Sequence, residues 1–169
     1  MSNVTKKICA LSLMIMLATS SLFAQKVFKF KTTDKKSAKV TIPGKLVSTL
    51  VNTNQTKQEY YVDFDLKGKQ VIISQVLYGE KDYLGNGTYF CKFEEFDKRF
   101  LENTQLQEST TGLKFYSYSL SAKGKFPLKS CNSFTGKETN SEEGNVAIRF
   151  ADEKTAKEFL EKLKKNVGM

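Results

Sequence analysis

Residues 60–78 constrain the fold more than any other stretch. Tyr60, Val62, Phe64 and Leu66 recur at every second position, with Tyr61, Asp63 and Asp65 between them. An extended chain with that pattern carries one apolar face and one mixed face. Lys67-Gly68 makes a turn, and Val71-Ile72-Ile73-Ser74-Gln75-Val76-Leu77-Tyr78 follows, apolar on both faces. A strand of that kind belongs in the middle of its sheet.

The rest of the chain supplies partners for this hairpin. Phe28 to Thr32 and Ala38 to Ile42 alternate around Thr33-Asp34-Lys35-Lys36, which predicts a second hairpin with a buried face and a lysine face. Pro43-Gly44 ends it. Leu46, Val47, Leu50 and Val51 are spaced as on a helix, and predict a short helix or irregular turn. Asn52 to Gln58 reads as a loop. Gly85-Asn86-Gly87 carries the Asn-Gly hairpin signal, with a strand from Thr88 to Phe93 after it. Phe93, Phe96 and Phe100 predict either a short helix or a strand and loop. Leu113 to Leu120, Phe126 to Cys131 and Val146 to Phe150 read as strands, and polar Thr135 to Gly144 as a loop.

Asp152 to Val167 predicts a helix. Asp152 is a capping residue, Glu153 suits the positive end of the dipole, and Lys162, Lys164 and Lys165 suit the negative end. Ala156, Phe159, Leu160, Leu163 and Val167 form one apolar stripe. The predicted class is therefore α+β: a mostly antiparallel sheet or partly open barrel with a C-terminal amphipathic helix, 152–167, packed on it. The order of strand Val146–Phe150, the link Ala151 to Lys154, and a helix bearing Ala156, Phe159 and Leu160 resembles the end of pleckstrin-homology-like domains. That family binds inositol phosphates in its first hairpin loop, and an exported protein would not meet its usual lipid. No functional residue is carried over.

Met1 to Ala24 has the parts of a secretory signal peptide: Lys6 and Lys7, an apolar run from Ile8 to Ala18, and a short stretch ending in Ala24. The apolar run is shorter than the roughly 20 residues of a membrane span. Cys9 precedes most of that run, which speaks against a lipoprotein. Cleavage after Ala24 leaves 25–169 as one β-rich domain of 145 residues with 25 basic and 18 acidic side chains, a net charge of +7. A periplasmic or secreted location follows as an expectation, with no transmembrane span in the mature chain. Only Arg99 and Arg149 are arginines. A lysine-dominated surface favours diffuse attraction to anions over shaped nucleic-acid contacts, so no nucleic-acid partner is expected.

Cys91 and Cys131 are the cysteines of the mature chain, and an oxidising compartment predicts a disulfide between them. The chain has no His, which removes His-based triads, general bases and metal ligands. Asp63-Phe64-Asp65 begins like a calcium loop, but Lys67 and Ser74 occupy its fifth and twelfth positions. Glu94, Glu95 and Asp97 read as a solvated charged face. Lys129, Ser130 and Cys131 lack the setting of a known nucleophile motif. No catalytic residue, metal site or cofactor is predicted.

The basic clusters are more distinctive. Lys29, Lys31, Lys35, Lys36 and Lys39 lie in the first hairpin, and Lys123 and Lys125 much later. On one side of the protein they would form an anion-binding face; otherwise they are ordinary lysine-rich surface. Tyr60, Tyr61, Tyr116 and Tyr118 read as core more readily than as a binding groove. The chain thus reads as an exported, non-catalytic binding protein of the bacterial cell envelope. Its partner would be an envelope protein or an anionic envelope component. The alternatives are an inhibitor or immunity-type protein blocking one enzyme, and a hydrolase using carboxylates alone.

Overall fold

The computed structural model describes residues 25–52, 56–80, 82–109 and 113–169. The proposed signal peptide, 1–24, lies outside them. The elements in chain order are β1 (Gln25–Lys31), β2 (Ser37–Pro43), β3 (Lys45–Val51), β4 (Lys57–Asp65), β5 (Gln70–Tyr78), β6 (Tyr83–Lys92), a 3-10 turn (Phe93–Glu95), α1 (Lys98–Asn103), β7 (Gln107–Ser109), β8 (Phe115–Asn132), β9 (Glu138–Phe150) and α2 (Glu153–Val167). None of the described helices is long and apolar enough to cross a membrane.

The predicted class holds: a curled antiparallel sheet, a half-barrel, with the C-terminal helix packed on it. Its strands run β3-β4-β5-β6-β8, with β7 beside the start of β8 and β9 along β8's other edge. The curl brings the far edges together, since the Ala151 amide donates to Ser48 Oγ at 3.0 Å from a sequence distance of 103 residues. The interior is filled by Tyr60, Val62, Val71, Ile73, Phe96, Leu120, Phe126, Ile148 and Phe150. α2 presses Phe159 onto this core, 5.4 Å from the Phe150 ring and 6.0 Å from Phe64. Asp152 caps the helix by accepting from the Thr155 amide at 2.8 Å, and Gly168 ends it with φ +80°.

The β1–β2 hairpin forms a separate two-stranded sheet. It folds back over the outer face of the barrel, where Val40 and Ile42 meet Tyr61, Val76, Tyr83 and Cys131 in a second core. The chain passes from one sheet to the other at Gly44. Its φ is +92°, and a Cβ there would stand 2.5 Å from the Val62 carbonyl.

Several local expectations are corrected. Residues 45–51 are a strand, with a bulge between Leu46 and Ser48. The extra residue turns Leu46 outward beside Tyr61 while Leu50 stays inside, which is why their spacing imitated a helix. Gly85-Asn86-Gly87 lies within β6; the reversal is at 79–82, closed by the Gly79 amide on the Asp82 carbonyl. Gly85 serves close approach instead, because a Cβ there would lie 2.7 Å from the Cys131 carbonyl oxygen. β8 is one long strand broken by a bulge between Ser121 and Phe126, and most of the predicted loop 135–144 belongs to β9. The segment around Phe93–Phe100 divides into a 3-10 turn and the start of α1.

The predicted disulfide is not present among the described residues. Cys91 and Cys131 are free, buried thiols. Cys131 pairs with Asn86 and shares its outer face, whereas Cys91 pairs with Val71 and points into the barrel. Side chains alternate along a strand, so two residues of opposite parity cannot reach each other through the sheet.

Candidate functional site

The hairpin positions a broad hollow of the surface. Phe28↔Val40 and Phe30↔Ala38 are cross-strand pairs, so their side chains share the hairpin's inner face. Phe28 stacks on Tyr83 with centroids 5.3 Å apart and meets Tyr78 edge-on at 5.7 Å; Phe30 lies 4.9 Å from Tyr83. An open cleft of about 1280 Å³ runs along these rings, bounded by β1, by Tyr78, Asp82, Tyr83 and Leu84, and by Ser133-Phe134. The hairpin turn is tied to the β8–β9 turn by the Thr33 amide and hydroxyl, both donating to the Phe134 carbonyl at 2.9 Å. Phe134 itself stands 55% exposed at the rim.

Beneath the hairpin, the polar groups that border the second core are all engaged. Glu59 Oε2 accepts from Tyr61 at 2.6 Å and Tyr78 at 2.5 Å, and Oε1 takes Lys57 at 2.9 Å. Burial alone would raise the Glu59 carboxyl, but these donors outweigh it and hold the group below its usual value. Burial and then the Glu59 carboxylate push the Tyr61 and Tyr78 phenols well up. Tyr83 donates to Asn86 Oδ1 at 2.6 Å, Asn86 donates to Thr88 at 3.2 Å, and Thr88 meets Ser74 at 3.0 Å. Burial raises both thiols, so neither is an activated nucleophile.

The two basic clusters do not combine. Lys29 and Lys39 are direct cross-strand partners, and Lys31 is paired with Ser37 one step along the same face. All three border the cleft. Lys35 sits in the turn with φ +62°, and Lys36 is paired to Asp34 at 2.9 Å. Lys123 donates to the Glu94 carbonyl at 2.7 Å, just beyond the end of β6 that pairs with Gln70. The cleft is at the opposite end of β6, beside Tyr83. Lys125 falls in the β8 bulge near Lys123.

The carboxylates singled out in the sequence hold turns. Asp65 accepts from the Gly68 amide at 2.9 Å and from Gln70 at 3.0 Å, and Asp97 caps α1. One oxygen of Glu95 is buried without a hydrogen-bond partner among the described residues. Lys129 pairs with Glu138, and Ser130 shares a hydrogen bond with Thr139 on the exposed surface. Among the described residues no three Cys, Asp or Glu side chains are grouped as a metal would need. Of the four tyrosines weighed as core or groove, Tyr60, Tyr61 and Tyr118 are buried. Phe134 and Tyr83 belong to the cleft but were not singled out; an aromatic in the polar turn 132–136 was the available signal for Phe134.

No family model, curated protein or solved structure matches this chain.

Proposed function

We propose that the protein is an exported, non-catalytic binding protein of the cell envelope, matured to begin at Gln25, that engages an anionic partner through the lysine face of the β1–β2 hairpin. One observation carries the reading: Lys29 and Lys39 stand directly opposite each other with Lys31 beside them, and none makes an ion pair among the described residues. Like charges directly opposite on a ladder destabilise the free sheet by up to about 1 kcal/mol. An anionic partner relieves that repulsion. The exposed ring of Phe134 at the same cleft favours a protein partner, which keeps the inhibitor or immunity-type reading as a variant of this one.

Retention on a dextran sulfate column tests the charge claim. The triple variant Lys29→Gln/Lys31→Gln/Lys39→Gln should elute at clearly lower salt than Lys154→Gln/Lys162→Gln/Lys165→Gln, which loses the same charge from α2. Equal elution of the two would reduce the hairpin lysines to general surface. Intact mass of the protein recovered from the envelope fraction should match a chain starting at Gln25, and full-length protein in the cytosol would remove the exported role.

A further inference from the structure

β1 is an edge. Among the described residues it pairs with β2 alone. The Thr32 amide donates to the Lys36 carbonyl at 3.0 Å, so Thr32 and Lys36 form a hydrogen-bonded pair. Antiparallel pairs alternate between bonded and non-bonded. Counting back, Phe30 and Phe28 bond to β2, while Lys31, Lys29 and Val27 turn their N–H and C=O groups away from it. No bond from these outward groups to another described residue is present. Proteins commonly blunt such an edge with a bulge, a proline, a covering loop or lysines; β1 pairs without a register shift over its full length, contains no proline, and carries only the lysines, whose charge deters a basic or neutral strand and admits an acidic one.

The edge also has a chemistry. Its outward backbone belongs to Lys29 and Lys31, with Lys39 across the ladder, and the cleft with Tyr83 and Phe134 runs beside it. We propose that β1 accepts an extended acidic peptide segment of a partner protein as a third strand of the hairpin sheet. Backbone groups of Val27, Lys29 and Lys31 bond the peptide, its acidic side chains face the lysines, and alternate apolar side chains enter the aromatic cleft. This deepens the binding role proposed above and rests on it.

The probe is a synthetic nonapeptide of alternating Glu with Val or Tyr, titrated into 15N-labelled protein at low salt. Saturation should slow hydrogen exchange at the amides of Val27, Lys29 and Lys31 more than at Phe28 and Phe30, which already bond β2. Binding by the peptide should weaken about tenfold in Val27→Pro, which removes one outward donor and no charge. The same loss should follow N-methylation of the peptide's edge-facing amides, a control that leaves the protein unaltered. A peptide with Lys in place of Glu should not bind. Three results overturn the inference: equal affinity of the N-methylated peptide, unprotected edge amides at saturation, or no peptide binding while the hairpin lysines still govern dextran sulfate retention. If those lysines also fail to govern retention, the underlying binding role falls with it.

Discussion

Cys91 and Cys131 lie on opposite faces of the paired strands β6 and β8, one inside the barrel and the other under the hairpin. The cross-link that an oxidising compartment would ordinarily favour is therefore out of reach without unfolding. Cys91 and Cys131 of the native protein should react with a thiol reagent only after denaturant is added, and reductant should leave the melting temperature unchanged. A melting temperature lowered by reductant would restore the cross-link. Burial of both sulfurs keeps the thiols protonated and slow to react.

The Glu59 cluster sets a pH limit. Its carboxyl is held below the ordinary value of 4.5 in the folded protein, so the stabilisation is present at neutral pH and declines as the pH falls below that value. Glu59→Gln should cost about 1–3 kcal/mol at pH 7, and should flatten the acid limb of a stability profile measured by urea denaturation. Asp65 and Asp152, also held low by the backbone and side-chain donors they accept from, leave a residual slope. An unchanged acid limb in Glu59→Gln would mean that the cluster is not coupled to folding.

Gly44 is the corner at which the chain changes sheets, and no L-side chain fits it. Gly44→Ala should destabilise by about 2 kcal/mol or more, combining the unfavourable φ with a clash against the Val62 carbonyl. Gly124, whose added Cβ would meet nothing within 4 Å, is the matched control and should tolerate alanine. Thermal melts of the two variants separate conformational strain from a general cost of replacing glycine.

The helix contributes through its cap and its anchor unequally. Asp152→Ala should cost about 1 kcal/mol through loss of the bond to the Thr155 amide. Phe159→Ala should cost about 3–5 kcal/mol, because its ring fills the space between Phe64 and Phe150. Equilibrium urea unfolding gives both numbers, and equal losses would contradict the assignment of α2's stability to core packing.

Hairpin 60–78, hairpin 28–42 and helix 152–167 were legible because each buries one face and exposes the other, which writes a period of two or 3.6 into the sequence. β3 was not, because its bulge changes the buried parity between Leu46 and Ser48. The first part of β9 was not, because residues 138–143 are exposed throughout and leave no alternation to read. Gly85-Asn86-Gly87 satisfies a local turn rule, yet the neighbour that needs its small residue is Cys131, 46 positions away from Gly85. The hairpin lysines of the candidate site could be named from sequence, but their direct opposition depends on register. The cleft could not be named, since its walls come from the turns near 32, 80 and 134.

The two cores divide the labour of the molecule. The barrel and α2 enclose one set of side chains, and the hairpin rests on another that belongs to the barrel's exterior. Sequence change at the exposed positions of residues 26–39 can therefore leave the barrel's interior packing as it is, so the arm and the scaffold are free to drift at separate rates.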